Sequence, residues 1–148
     1  MLRVKDLMTK DIIAISGNTS IKKASLKMKK NNVSCLIVES RGKTRGIVTE
    51  RDFVHKVLAA SSSRKKSKIK DIMSRPIITV DPEATVLECS TIMKYSKIKQ
   101  LPVIYDNNVV GIITQTNITH NLYDTFYLAT FNKKEIYIAF LIFVIIID

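Results

Sequence analysis

At 148 residues the chain is about one domain long, enough for a real core, and its hydrophobic content of 46% is normal for a globular protein. A formal net charge of +11, from lysine-rich rather than arginine-rich stretches, favours anionic partners: nucleic acid, anionic lipid or small phosphorylated ligands. Cys35 and Cys89 stand alone, with no CxxC spacing or His/Cys cluster, which argues against a zinc site or disulfide framework; with no signal peptide at the basic N-terminus, a reducing cytoplasm is expected.

After an opening Lys5-Asp6-Leu7-Met8, the run Ile12-Ile13-Ala14-Ile15 predicts a short strand that turns at Ser16-Gly17-Asn18. A helix starts near Ser20, with Ile21, Ala24 and Met28 on its apolar stripe and a crowd of lysines elsewhere. Cys35 to Glu39 and Thr44 to Thr49 predict two strands joined by a hairpin turn at Arg41-Gly42-Lys43. A helix follows from around Arg51, and the polar, basic stretch Ala59 to Lys68 predicts an exposed connector. The same order then returns. Ile77 to Val80 is a strand, Asp81-Pro82-Glu83 a turn, and a helix starts near Thr85 with Val86, Cys89, Ile92 and Met93 on its stripe. Leu101 to Tyr105 and Val109 to Thr114 are strands turning at Asp106-Asn107-Asn108, and a last helix of the repeat starts around Thr116.

This return is a true internal repeat, since Val4 to Val57 lies on Ile69 to Leu122 at one offset with no gap. The order is β-α-β-β-α, twice. One such unit is too small to bury its own sheet face, so an α/β fold of two packed copies related by a pseudo-two-fold axis is expected. The best-kept string is Gly46-Ile47-Val48-Thr49-Glu50-Arg51-Asp52, which recurs as Gly111-Ile112-Ile113-Thr114-Gln115-Thr116-Asn117. It predicts a buried strand running into a helix, where Thr49 with Asp52, or Thr114 with Asn117, stands beside free backbone N–H groups. That chemistry suits a phosphorylated ribose. Taken singly, Thr49 and Asp52 would be ordinary helix-capping residues; their duplication points to a ligand.

The Lys-Asp-hydrophobic-Met opening, the Leu101-Pro102-Val103 strand and the Gly-hydrophobic-hydrophobic-Thr-x-x-Asp string together resemble a tandem pair of cystathionine-β-synthase (CBS) domains, a Bateman module. The resemblance covers about residues 1 to 125, as repeats 1–58 and 69–125 joined by a 59–68 linker, and leaves 126–148 as a tail. It implies a regulatory module without catalysis that binds AMP, ADP, ATP or S-adenosylmethionine, often as a homodimer, and passes the state of an energy-sensing or similar signal to a partner. It also implies composite clefts. Site A would join Thr49, Arg51 and Asp52 to Ser74, Ile77, Thr79, Ile98, Lys99 and Gln100. Asp52 would accept the ribose hydroxyls, Thr49, Arg51 and Lys99 would meet phosphates, and Ile77 and Ile98 would flank adenine. Site B would join Thr114 and Asn117 to Thr9, Ile12, Ala14, Val33, Ser34 and Cys35. Here Asn117 replaces the acid and Thr116 an arginine, and a neutral amide bonds the same diol more weakly.

His55 and His120 have no nucleophile or carboxylate at suggestive spacing and are expected on helix surfaces; Met28 and Met93 are expected in the core. Phe53, Val54, Val57 and Leu58, with Ile118 and Leu122 in the second copy, suit a dimer surface. The unbroken apolar run Ile136 to Ile147 would span about 18 Å as a helix, short of a bilayer's roughly 30 Å, so no transmembrane span is expected. As strand or helix it should cover the module or a dimer partner, with shallow membrane contact as the second choice. The alternative to a nucleotide sensor is a nucleic-acid-binding module using the lysine-rich faces, although no aromatic residues are interleaved there to stack bases.

Overall fold

The computed structural model describes residues 2–59, 68–128 and 133–147, with backbone alone at 125–128, 133–136 and 147. Apart from its two ends, the predicted connector lies outside the described residues. In chain order the elements are α1 (Val4–Leu7), β1 (Ala14–Ser16), α2 (Ile21–Asn31), β2 (Cys35–Ser40), β3 (Lys43–Thr49), α3 (Glu50–Phe53), α4 (Val86–Ser96), β4 (Gln100–Tyr105), β5 (Asn108–Thr114), α5 (Gln115–Leu128) and α6 (Lys133–Ile147). A π-helical turn over Val54–Leu58 continues α3, and a single 3-10 turn spans Ile69–Asp71.

These elements form two compact units, residues 12–78 and residues 1–11 with 79–148. The mixed α/β class and the two repeats match the expectation. Each unit, however, takes its opening Lys-Asp-hydrophobic-Met segment from the start of the other sequence repeat. In the 12–78 unit, Ile69 N–H donates to Thr19 O at 3.0 Å and Lys70 N–H to Gly17 O at 2.9 Å. In the other unit, Val4 N–H donates to Ala84 O at 2.9 Å and Lys5 N–H to Pro82 O at 3.0 Å. The free amide groups of each short helical turn are satisfied by a neighbouring loop, which fixes where the segment docks.

In the 12–78 unit, β1 runs parallel to β2 and β2 antiparallel to β3. The apolar run of β2 is buried from Cys35 to Val38, as suits a central strand covered on both faces. Arg41 and Gly42, at φ of 53° and 69°, make the tight two-residue turn of a twisted hairpin. Ser20 Oγ accepts Lys23 N–H at 3.3 Å to start α2, and Asn32 ends it in the left-handed conformation. Its lysines face outward while Ala24 and Met28 enter a core with Ile15, Leu36, Val38, Val48, Ile69 and Ile72.

In the other unit, β4 and β5 form the equivalent hairpin, turning at Asp106 and Asn107. The predicted strand at Ile77 to Val80 is reduced to one parallel bridge between Val80 and Val103. Two backbone hydrogen bonds, at 3.1 and 2.9 Å, hold it, too few for a ladder. The apolar tail is a helix: α6 packs on α4 and α5 and places Ala139 and Ile142 in a core with Val86, Cys89, Met93, Leu101, Ile113, Ile118 and Leu122. Ile118 and Leu122 are therefore 0% and 7% exposed. Their expected place on a dimer surface is corrected, because they already sit in the apolar cluster that α6 completes. No helix among the described residues is long and apolar enough to cross a membrane.

Candidate functional site

Gly46 is where the site begins. A Cβ there would lie 2.7 Å from Met73 Sδ and 3.0 Å from Ser74 O, so a side chain would push the 73–74 segment away. With glycine in place, Ser74 N–H donates to Ile47 O at 2.8 Å and Ile47 N–H to Ser74 O at 3.2 Å. Ser74 is thus bridged to β3, whose last residue, Thr49, caps α3.

The Asp52 carboxylate is the centre of the arrangement and is only 6% exposed. Its Oδ2 accepts Thr49 N–H at 2.8 Å and Thr49 Oγ1–H at 3.0 Å. Its Oδ1 accepts Ser74 Oγ–H at 3.3 Å and faces Lys56 Nζ at 2.6 Å. Lys56 also donates to Ile72 O at 2.7 Å. The sequence reading missed Lys56, although an acid followed by a lysine at i,i+4 is a recognisable helix pair. Of the site A residues, Thr49, Arg51, Asp52, Ser74 and Ile77 belong to this one unit, where Arg51 is exposed and Ile77 half-buried. Thr79, Ile98, Lys99 and Gln100 belong to the other unit.

There the second copy of the motif has the same local design without charge. Asn117 Oδ1 accepts Thr114 N–H at 2.9 Å and Thr114 Oγ1–H at 2.7 Å, and Thr114 Oγ1 accepts Asn117 N–H at 3.1 Å. Thr9 joins it through paired 2.9 Å backbone bonds with Ile112, beside Gly111. Lys99 O accepts Gln115 N–H at 2.9 Å, and Gln100 lies opposite Thr114 in the sheet. The remaining site B residues, Ile12, Ala14, Val33, Ser34 and Cys35, are in the 12–78 unit. Cys35 lies opposite Thr49, and Ser34 O accepts Glu50 N–H at 3.1 Å. Within each unit, then, the segment before the second strand flanks that unit's own motif.

No group of three or more His, Cys, Asp or Glu side chains among the described residues is placed to hold a metal ion. His55 and His120 are exposed, while Met28 and Met93 are core residues at 6% exposure each.

The CBS domain family matches residues 4–59 and 69–124. This chain belongs to the CBS domain family. The CBS pair is 29% identical over 121 residues to the CBS domain-containing protein YhcV of Bacillus subtilis (strain 168), covering 82% of this chain and 86% of that protein. It is 32% identical over 117 residues to protein MK0525 of Methanopyrus kandleri, covering 78% of this chain and 60% of the relative's length. Among solved structures, the CBS domain pair of protein MJ0100, in complex with 5-methylthioadenosine and S-adenosyl-L-methionine, superposes with a TM-score of 0.76 at 32% identity. That match covers 84% of this chain and 98% of the other.

Proposed function

We propose that this CBS pair is a regulatory module that binds an adenosine-containing ligand and signals its level to a partner protein, without catalysis of its own. The observation that carries the reading is the cluster of Thr49, Asp52 and Ser74, a buried carboxylate flanked by hydroxyls in the duplicated motif. A carboxylate of this kind suits the paired hydroxyls of a ribose, and charge-assisted bonds to it are strong. The bound adenosine derivatives of the related MJ0100 pair support the ligand class. Arg51 and Ile77 complete the proposed set in the 12–78 unit, and Thr79, Ile98, Lys99 and Gln100 remain candidates on the other. Cytoplasmic location and a homodimeric state belong to the same proposal.

Calorimetry with AMP, ADP, ATP, NAD and S-adenosylmethionine tests it. One stronger site per chain is expected, weakened about 10- to 150-fold in Asp52→Ala through loss of a charge-assisted bond of roughly 1.5–3 kcal/mol. Asn117→Ala should change little, since a neutral amide at that position supports the weaker second site. Two equal sites, or an Asp52→Ala variant that binds like the parent, would refute the assignment.

A further inference from the structure

We infer that Lys56 guards the Asp52 carboxylate and makes this site select phosphorylated adenosine ligands over uncharged ones. The inference rests on the proposed role of Asp52 in receiving the ribose, and it adds the residue that decides ligand charge.

A carboxylate offers about four lone-pair positions. At Asp52 each oxygen already has two donors: Thr49 N–H and Oγ1–H at 2.8 and 3.0 Å on Oδ2, and Lys56 Nζ and Ser74 Oγ–H at 2.6 and 3.3 Å on Oδ1. A ribose presents two hydroxyls, and both need an acceptor. The Thr49 N–H is fixed by the backbone as half of a capping box and does not leave Oδ2 without unwinding the helix start, and the Thr49 hydroxyl shares that oxygen. The Ser74 hydroxyl, at the longest distance, yields one position. The second comes from Lys56, which shares Oδ1 with Ser74 and whose side chain is 37% exposed on a flexible stem, against 8% for Asp52.

Releasing Lys56 has a cost that depends on the ligand. Its ammonium keeps the neutral Ile72 carbonyl at 2.7 Å but loses its counter-charge. A ligand phosphate restores that counter-charge within the same half-buried surroundings. Adenosine and 5-methylthioadenosine carry no anionic group and restore nothing. Both members of the pair change together in the second repeat, where Asn117 and Asn121 stand at the positions of Asp52 and Lys56. The capping geometry survives there without either charge, so no such exchange is built into the second copy.

Calorimetry on the full chain with AMP, adenosine and 5-methylthioadenosine provides the test. The parent should bind AMP roughly 10- to 150-fold more tightly than either uncharged nucleoside, the worth of one charge-assisted bond. In Lys56→Met the gap should close to within about threefold, with adenosine binding no weaker than in the parent, whereas Lys56→Arg should keep the preference. Lys56→Gln serves as a second neutral variant, and thermal melts confirm that each variant is folded. A parent without preference for AMP, or a preference that survives in the folded neutral variants, overturns the inference alone, provided that binding is weakened in Asp52→Ala. A parent that binds none of the three overturns this inference, a parent that also binds none of ADP, ATP, NAD and S-adenosylmethionine overturns the nucleotide reading, and binding indifferent to Asp52→Ala overturns both.

Discussion

Cys35 on β2 and Cys89 on α4 are buried thiols, and their titration couples folding to alkaline pH. Burial, helped by the Glu50 carboxylate, pushes Cys35 from the ordinary 9.0 up to about 11, and burial alone pushes Cys89 up to about 12. In the unfolded chain both thiols ionise near 9.0, so between that pH and the folded values the native state holds more protons. Stability is therefore fully present below pH 9 and falls as pH rises through the folded values. Urea midpoints measured from pH 8 to 11 should decline, and the decline should be shallower in Cys89→Ala whatever that variant's stability at pH 8. A parallel decline in parent and variant rules the coupling out. At this scale the sequence was only partly legible. Thr49 and Asp52 were visible as a pair that could cap or bind, and they do cap. Lys56 reaches the same carboxylate as a local i,i+4 pair, but the Ser74 contact depends on a segment more than twenty residues away that packs against β3 where Gly46 has no Cβ.

Among the elements, α6 shows how composition can settle burial without settling conformation. Its run of isoleucines and phenylalanines suits a strand as well as a helix, and the outcome was decided by the helices it meets. Ala139 and Ile142 sit in the core, with Ile138 and Ile146 partly buried beside them, at spacings that share one helical face. Tyr137, Phe140 and Phe143 point outward, at 69%, 57% and 46% exposure. The two faces should respond differently to truncation. Ile142→Ala should cost about 2–5 kcal/mol by denaturant unfolding through the cavity it leaves, while Phe140→Ser should stay within about 0.5 kcal/mol. Equal effects from the two would show that α6 is not docked on α4 and α5. On α4 itself, the Thr85 and Glu88 capping box was foreseen only as a helix start near Thr85. Glu88 Oε2 accepts Thr85 N–H at 2.7 Å and Oγ1–H at 2.8 Å, and these bonds, the backbone one first, hold the Glu88 carboxyl below its ordinary range.

For the whole molecule, the repeats are alike in sequence but unequal in what they leave open. In the first, Val54 and Leu58 are 50% and 80% exposed along the turn that follows α3, and Phe53 and Val57 lie only partly against the core. In the second, Ile118 and Leu122 at the positions of Phe53 and Val57 are buried in the core that α6 joins. The proposed homodimer should therefore use the first repeat's surface. Sedimentation velocity of the Val54→Glu, Leu58→Glu double variant is expected to show monomer where the parent shows dimer. Both side chains are exposed, so folding should be spared. A parent that stays monomeric at micromolar concentration removes the idea.

The sequence by itself determined the α/β class, the duplication, both hairpin turns and the starts of α2 to α5, although the first strand of the second copy is only a bridge. Those features rest on local rules: a capping hydroxyl, a period of apolar residues, a turn residue that accepts positive φ. It also placed the Thr-x-x-Asp motif where β3 meets α3. Only the tertiary structure decided which copy each opening segment serves, because Lys5-Asp6-Leu7-Met8 and Lys70-Asp71-Ile72-Met73 satisfy the same rules in either place. Backbone hydrogen bonds to Ala84 and Pro82 in one case, and to Gly17 and Thr19 in the other, made that choice. The same docking carries Ser74 to Asp52, and with it the crowded carboxylate on which the proposed ligand selection depends. Such contacts join residues distant in the chain, and no local pattern encodes them.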